Sequence, residues 1–383
     1  MQTYPRKAEK SIVFALENFP VVAILGPRQS GKSTLAKEIL GRFPNSIYLD
    51  LESTTDLARL QNPELFFESN ANRLVCLDEI QHTPELFPVL RSIVDKNKKN
   101  AQILILGSAS PELLKQSSES LAGRIAFEYL TPFTILEVSG QTDFKLEEHW
   151  WKGGFPLSYL KEDSGSNLWR ENFLKTFIER DLFQFGIKTT SLQLTRFLTM
   201  MAHSNGQVVG KSKLAASLGV SHNTISHYID IFEQTFFLRS LEPYFTNLKK
   251  RTVKSPKIYF RDSGVLHSML KIESFNELLG HPICGSSWES YCIENIHAVY
   301  KGYELNYYRT SSGNEIDLIL TKGQRKIAVE FKISTAPKVE KGFWISLQDL
   351  EIDEAFIICP IQDSYPIEKN VSVSGLKTFL EKY

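Results

Sequence analysis

Short apolar runs, each ended by glycine or by charged and hydroxyl residues, set the rhythm of the first third of the chain. Val21 to Leu25 runs into Gly26, Leu74 to Leu77 into Asp78 and Glu79, and Ile103 to Leu106 into Gly107 and Ser108. Runs of this length without alternation suit strands buried on both faces of a parallel sheet. Ser33 to Leu40, after the first run, has helical spacing, so the pattern predicts strand, loop and helix in an α/β layer.

The period changes further on. Lys211 to Gln234 reads as a helix, a tight turn at Gly219-Val220-Ser221 and a second helix whose Ile225, Tyr228, Ile229 and Phe232 share one face. Phe236 to Asp262 follows as two strands around a hairpin. Gly285 to Ile296 reads as a helix carrying Glu289. Tyr303 to Ser334 then alternates, with turns at Ser311 to Asn314 and at Lys322-Gly323, one strand carrying Asp317 and the next Glu330 and Lys332. At a period of two, Glu330 and Lys332 face the same side, across the hairpin from Asp317.

The loop after the first run, Gly26-Pro27-Arg28-Gln29-Ser30-Gly31-Lys32-Ser33-Thr34, has the spacing G-x-x-x-x-G-K-S. The glycines let successive backbone N–H groups face the phosphates of ATP or GTP, Lys32 reaches the β/γ-phosphates and Ser33 ligates Mg²⁺. Asp78 would hold the same ion through its water shell, and Glu79 would orient or deprotonate the hydrolytic water. Ser108 is placed to sense the γ-phosphate. Arg124, before the next strand, either stabilises transition-state charge in a neighbouring subunit or caps a helix.

At 383 residues the chain is long enough for two or three domains. It holds 44 Lys plus Arg against 44 Asp plus Glu, so a polyanionic partner would need a local patch. The hairpin supplies one, with Lys249, Lys250, Arg251, Lys254 and Lys257. Beside it, His222, Asn223, Thr224 and Ser226 form a polar face at the start of the second helix, suited to phosphates or base edges in DNA. A protein-docking module would have the same outline. The scattered Cys76, Cys284, Cys292 and Cys359 lack metal-ligand or disulfide spacing, and no apolar run approaches a membrane span, so a cytoplasmic location without membrane contact is expected.

Together "GPRQSGKSTL", "LDEIQ", "LGSAS", "SLAGR" and "FIERDL" resemble the bacterial and archaeal AAA-type ATPases that carry a C-terminal domain of formerly unknown function. The resemblance implies an AAA+ P-loop core over 1–140, a helical lid over 141–188 and assembly into a homo-oligomeric ring such as a hexamer, with Arg180 as a second sensor or a partner in a surface ion pair. A winged helix-turn-helix is expected over 189–272. The last segment, 273–383, is similar to the PD-(D/E)XK nuclease superfamily: Glu289, Asp317 and Glu330 would bind Mg²⁺, with Lys332 beside them for catalysis, and the same surface could bind DNA without cutting it. The whole implies an ATP- and Mg²⁺-dependent protein acting on branched or duplex DNA, or an ATP-gated DNA-binding regulator or defence switch that neither moves nor cuts a strand.

Overall fold

The computed structural model describes residues 4–108, 119–182, 189–245 and 253–382. Two compact units emerge, Met1–Phe133 with Gln234–Phe236, and Thr134–Glu233 with Phe237–Tyr383. In the first unit, strands β1 (Val21–Leu25), β2 (Ile47–Asp50), β3 (Val75–Asp78), β4 (Ile103–Gly107) and β5 (Ile125–Tyr129) form a parallel sheet in the order β2-β3-β4-β1-β5. β1, β3 and β4 are buried along their whole length, as their unbroken apolar character requires. Because neighbouring strands run the same way, the residues that follow β1, β3 and β4 all emerge at one edge of the sheet. A ligand site in an open parallel sheet forms at that edge.

In the second unit the strands are β6 (Gln207–Val208), β7 (Leu238–Pro243), β8 (Lys257–Phe260), β9 (Glu304–Arg309), β10 (Glu315–Lys322), β11 (Arg325–Phe331), β12 (Glu354–Cys359), β13 (Ser364–Glu368) and β14 (Val371–Gly375). They form one sheet in the order β13-β14-β12-β11-β10-β9-β7-β8-β6 among the described residues. The β7–β8 hairpin, with Leu238 opposite Phe260, joins the rest where β7 pairs in parallel with β9 at Glu242 and Asn306. Helices Lys211–Leu218 and His222–Gln234 flank a turn in which Gly219 takes a left-handed φ of 66°.

Beyond residue 140 the segments expected as lid (141–188), winged helix-turn-helix (189–272) and C-terminal domain (273–383) share one core that runs from Ile135 to Leu380. The reason lies in helix Cys284–Val299, whose Ser287, Trp288, Tyr291, Ile293 and Ile296 are all buried, so it needs cover on more than one side. Trp150 and His149 supply it. The Trp150 indole stacks edge-on against Trp288 at 5.1 Å and its N–H donates to Ser287 Oγ at 2.9 Å, while His149 Nδ1 lies 2.7 Å from the Tyr291 hydroxyl. Asp262 accepts from the Gly154 N–H at 2.8 Å and caps the next helix through the Val265 N–H, tying that segment to the end of β8. No described helix is long and apolar enough to cross a membrane.

Candidate nucleotide site and C-terminal charge cluster

The loop after β1 closes tightly over its own lysine. Gly26 passes so near β5 that a Cβ there would lie 2.2 Å from the Leu130 carbonyl oxygen, and Gly31 adopts φ 95°, a conformation that only glycine takes without strain. Lys32 Nζ donates to the carbonyls of Gly26 (3.1 Å) and Pro27 (2.9 Å). Burial pulls this ammonium down to about 8, against the opposing pull of Glu79 and Asp78. Two neutral carbonyls do not offset the desolvation of a full charge, so an anion brought against Lys32 gains more than it would from an exposed lysine. Ser30 Oγ is buried in the same loop with no hydrogen-bond partner, and Ser33 is half-buried while Thr34 is exposed.

Asp78 ends β3, nearly buried, and accepts from the Tyr48 hydroxyl and from the Glu79 N–H (3.0 Å). The Tyr48 proton is held far more tightly than in a free phenol, by burial first and by Asp78 second. Glu79 sits at φ 57°, ψ 45°, a left-handed conformation costing a non-glycine residue about 1 kcal/mol or more. Its Oε2 accepts from the Gln81 side chain. Ser108, half-buried, follows β4 at the same edge.

Sequence alone missed Tyr48, Gln81 and Arg6. Arg6 is buried, with Nη1 donating to the Ser30 carbonyl at 2.9 Å and Nη2 to the Thr131 carbonyl at 2.6 Å, and so holds the loop backbone from outside. The donor set of Lys32, Ser33, Asp78 and the orphaned Ser30 hydroxyl fits a nucleotide phosphate with Mg²⁺. Arg124, proposed to reach a neighbouring subunit, is engaged within its own unit by Asp95, with Nη2 to Oδ2 at 3.0 Å. Arg180 is exposed on the π-helical turn Phe177–Asp181.

On the helix-turn-helix, His222 and Asn223 are exposed and Thr224 is partly so, with Ser221 Oγ accepting from the Thr224 N–H at 3.1 Å. Ser226 is drawn inward, accepting from Lys211 Nζ at 3.2 Å. Lys254 is exposed, and Lys249, Lys250 and Arg251 lie outside the described residues.

Lys257 departs from the expected basic tip. It is 3% exposed, and its Nζ lies 2.7 Å from Glu315 Oε1, 3.3 Å from Glu289 Oε1 and 3.7 Å from Asp317 Oδ1. Burial disfavours its charge, but Glu289, Asp317 and Glu315 outweigh burial and raise its affinity for the proton above that of a free lysine. Asp317 Oδ2 accepts from the Phe331 N–H at 3.0 Å, which fixes it beside Glu330 across β10 and β11. Glu330 Oε1 accepts from Lys332 Nζ at 2.9 Å, its Oε2 is buried without a partner, and burial together with Asp317 raises it to about 8 despite that lysine. Glu289, which also accepts from the Tyr259 hydroxyl, is raised to about 7, chiefly by burial.

Of the predicted acidic residues, Glu289 and Asp317 converge on the Lys257 ammonium, while Glu330 pairs with Lys332. Mg²⁺ demands octahedral oxygens at about 2.1 Å, and no group of three or more His, Cys, Asp or Glu side chains among the described residues is arranged to hold a metal ion. The residues here do not fit a resident Mg²⁺. Glu289, Glu315 and Asp317 face Lys257, with Arg309 beside Glu315 and Lys332 on Glu330.

Comparison with known proteins divides the chain in three: an AAA domain matches residues 18–139, a domain of unknown function (DUF8612) residues 143–276 and a second (DUF4143) residues 284–379. The uncharacterized protein Rv2008c of Mycobacterium tuberculosis is 36% identical over 367 residues, 96% of this chain and 82% of that protein. The uncharacterized protein MJ1637 of Methanocaldococcus jannaschii is 23% identical over 423 residues, 94% of this chain and 84% of its own length. Among solved structures, the Walker-type ATPase PABY2304 of Pyrococcus abyssi matches with a TM-score of 0.47 at 16% identity, over 70% of this chain and 96% of that one.

Proposed function

The chain belongs to the same family as the mycobacterial protein and carries an AAA domain as its first, and from that premise we propose that it hydrolyses ATP and couples the reaction to work on DNA. The observation that carries the first half is the convergence of Lys32, Asp78 and Glu79 at one edge of a parallel sheet, with the lysine buried and short of negative charge. Lys32 would leave the Gly26 and Pro27 carbonyls for the β/γ-phosphates. Ser33 and Asp78 would hold Mg²⁺, which supplies charge neutralisation on the phosphates. Tyr48 would keep Asp78 aimed by donating to Oδ2. Glu79 Oε1, the oxygen that Gln81 leaves free, would accept the proton of the attacking water, and Ser108 would face the γ-phosphate.

For the second half, the exposed polar start of helix His222–Gln234 and Lys254 support a winged helix that contacts DNA backbone. Lys257 favours the reading in which nucleotide state controls DNA binding without cleavage, because the carboxylates that would carry Mg²⁺ are already neutralised. A ring on branched DNA would call for Arg124 to exchange Asp95 for a neighbour's phosphate, or for Arg180 to serve instead.

The test is ATP turnover with linear duplex, single-stranded and four-way DNA. Wild type should hydrolyse ATP faster with at least one DNA, and Lys32→Ala should lose tight nucleotide binding. Hydrolysis that no DNA accelerates would remove DNA as the partner, and hydrolysis retained in Lys32→Ala would remove the site itself.

A further inference from the structure

We propose that Lys257 is the built-in cation of the C-terminal centre: its ammonium takes the place of a divalent ion between Glu289, Glu315 and Asp317, so these three carboxylates are neutralised without metal and the centre performs no metal-dependent cleavage. The three acids come from helix Cys284–Val299 and from β10, whereas the lysine comes from β8 of the hairpin. An ammonium has three N–H groups to donate, and here three carboxylates lie within 2.7 to 3.7 Å of it.

The site is built around that charge. The Lys257 side chain is 4% exposed, its Nζ stands 5.4 Å from the centroid of the Tyr307 ring, and Glu289 is held for it by the Tyr259 hydroxyl, two residues along β8 from Lys257 itself. An ion bound among the same oxygens would have to expel a buried ammonium or sit beside it, where two like charges a few ångströms apart repel strongly. Lys332 occupies the far side, on Glu330. The hairpin is thereby pinned to the centre electrostatically as well as by the β7–β9 pairing.

The experiment uses the full chain without nucleotide, so that the loop at Lys32 does not recruit metal, and follows free Mn²⁺ by electron paramagnetic resonance during a titration. Wild type and Lys257→Arg should bind no Mn²⁺ in the C-terminal centre. Lys257→Met should gain one site, at least about 100-fold tighter than any in wild type, and lose it again when Asp317→Asn is added. Wild type that binds an ion which Asp317→Asn removes would overturn the proposal, as would folded Lys257→Met that binds no better than wild type. Should Lys257→Met fail to fold, wild type against Asp317→Asn decides alone: equal absence of binding supports the built-in cation, and a site lost in Asp317→Asn refutes it.

Discussion

Lys32 and Lys257 are both buried lysines facing carboxylates, yet burial lowers the first to about 8 and the second holds its proton more tightly than a free lysine. The difference is in what each ammonium touches. Lys32 donates to two backbone carbonyls and feels Asp78 and Glu79 only at longer range, while Lys257 lies within 3.7 Å of three carboxylates. Desolvation acts on both, and the direct ion pairs decide which way the balance falls. A buried cation short of negative charge is a receptor for an anion from outside. One already saturated is a piece of the fold.

The contrast can be broken most severely at Lys257. Lys257→Met leaves three carboxylates facing one another in a mostly buried place and should destabilise the second unit by about 3–5 kcal/mol, read as a lower urea midpoint, with Lys257→Arg recovering most of the loss. An unchanged midpoint would mean that the cluster is solvated and the saturation argument wrong. At the nucleotide site, Glu79→Gln should keep nucleotide binding and lose turnover by roughly 10²-fold, checked by equilibrium binding beside steady-state rates. Tyr48→Phe removes the hydroxyl on Asp78 and should raise the Mg²⁺ concentration needed for half-maximal turnover by about tenfold.

The smallest effect follows from protonation. Bound phosphate raises the pKa of Lys32 above its free value near 8, so nucleotide binding takes up a proton once the pH passes that value. Affinity should therefore be greatest below pH 8 and fall by up to about tenfold per pH unit above it. A flat profile between pH 7 and 9.5 would show that Lys32 is not short of charge.

Local signals were legible in the sequence and long-range pairings were not. The phosphate loop, Asp78-Glu79 and the alternating hairpin with Asp317 and Glu330 each announce themselves within a few residues, because strand period and turn chemistry are local. Tyr48 reaches Asp78 only because β2 pairs with β3, a neighbour relation that nothing in "IYLD" encodes. Arg6 likewise reaches the loop across more than twenty residues. Lys257 is the clearest case. In sequence it closes a run of basic residues and reads as part of a solvated tip, but it begins β8, and the β7–β9 junction carries it to Glu289 and Asp317. The shared core from Ile135 to Leu380 has a related cause, since helix Cys284–Val299 is apolar on too many sides to be covered by its own segment.

The lysine contrast is tested most directly by ¹³C nuclear magnetic resonance of the lysine Cε positions in the labelled full chain, assigned with Lys32→Arg and Lys257→Arg and followed as pH is raised, with and without Mg²⁺ and a non-hydrolysable ATP analogue. The predicted result is a Lys32 signal that titrates near 8 and moves upward when the nucleotide binds, beside a Lys257 signal that does not titrate in that range under either condition. A Lys32 that titrates at the ordinary lysine value of 10.5 and ignores nucleotide, or a Lys257 that loses its proton below that value, would contradict it.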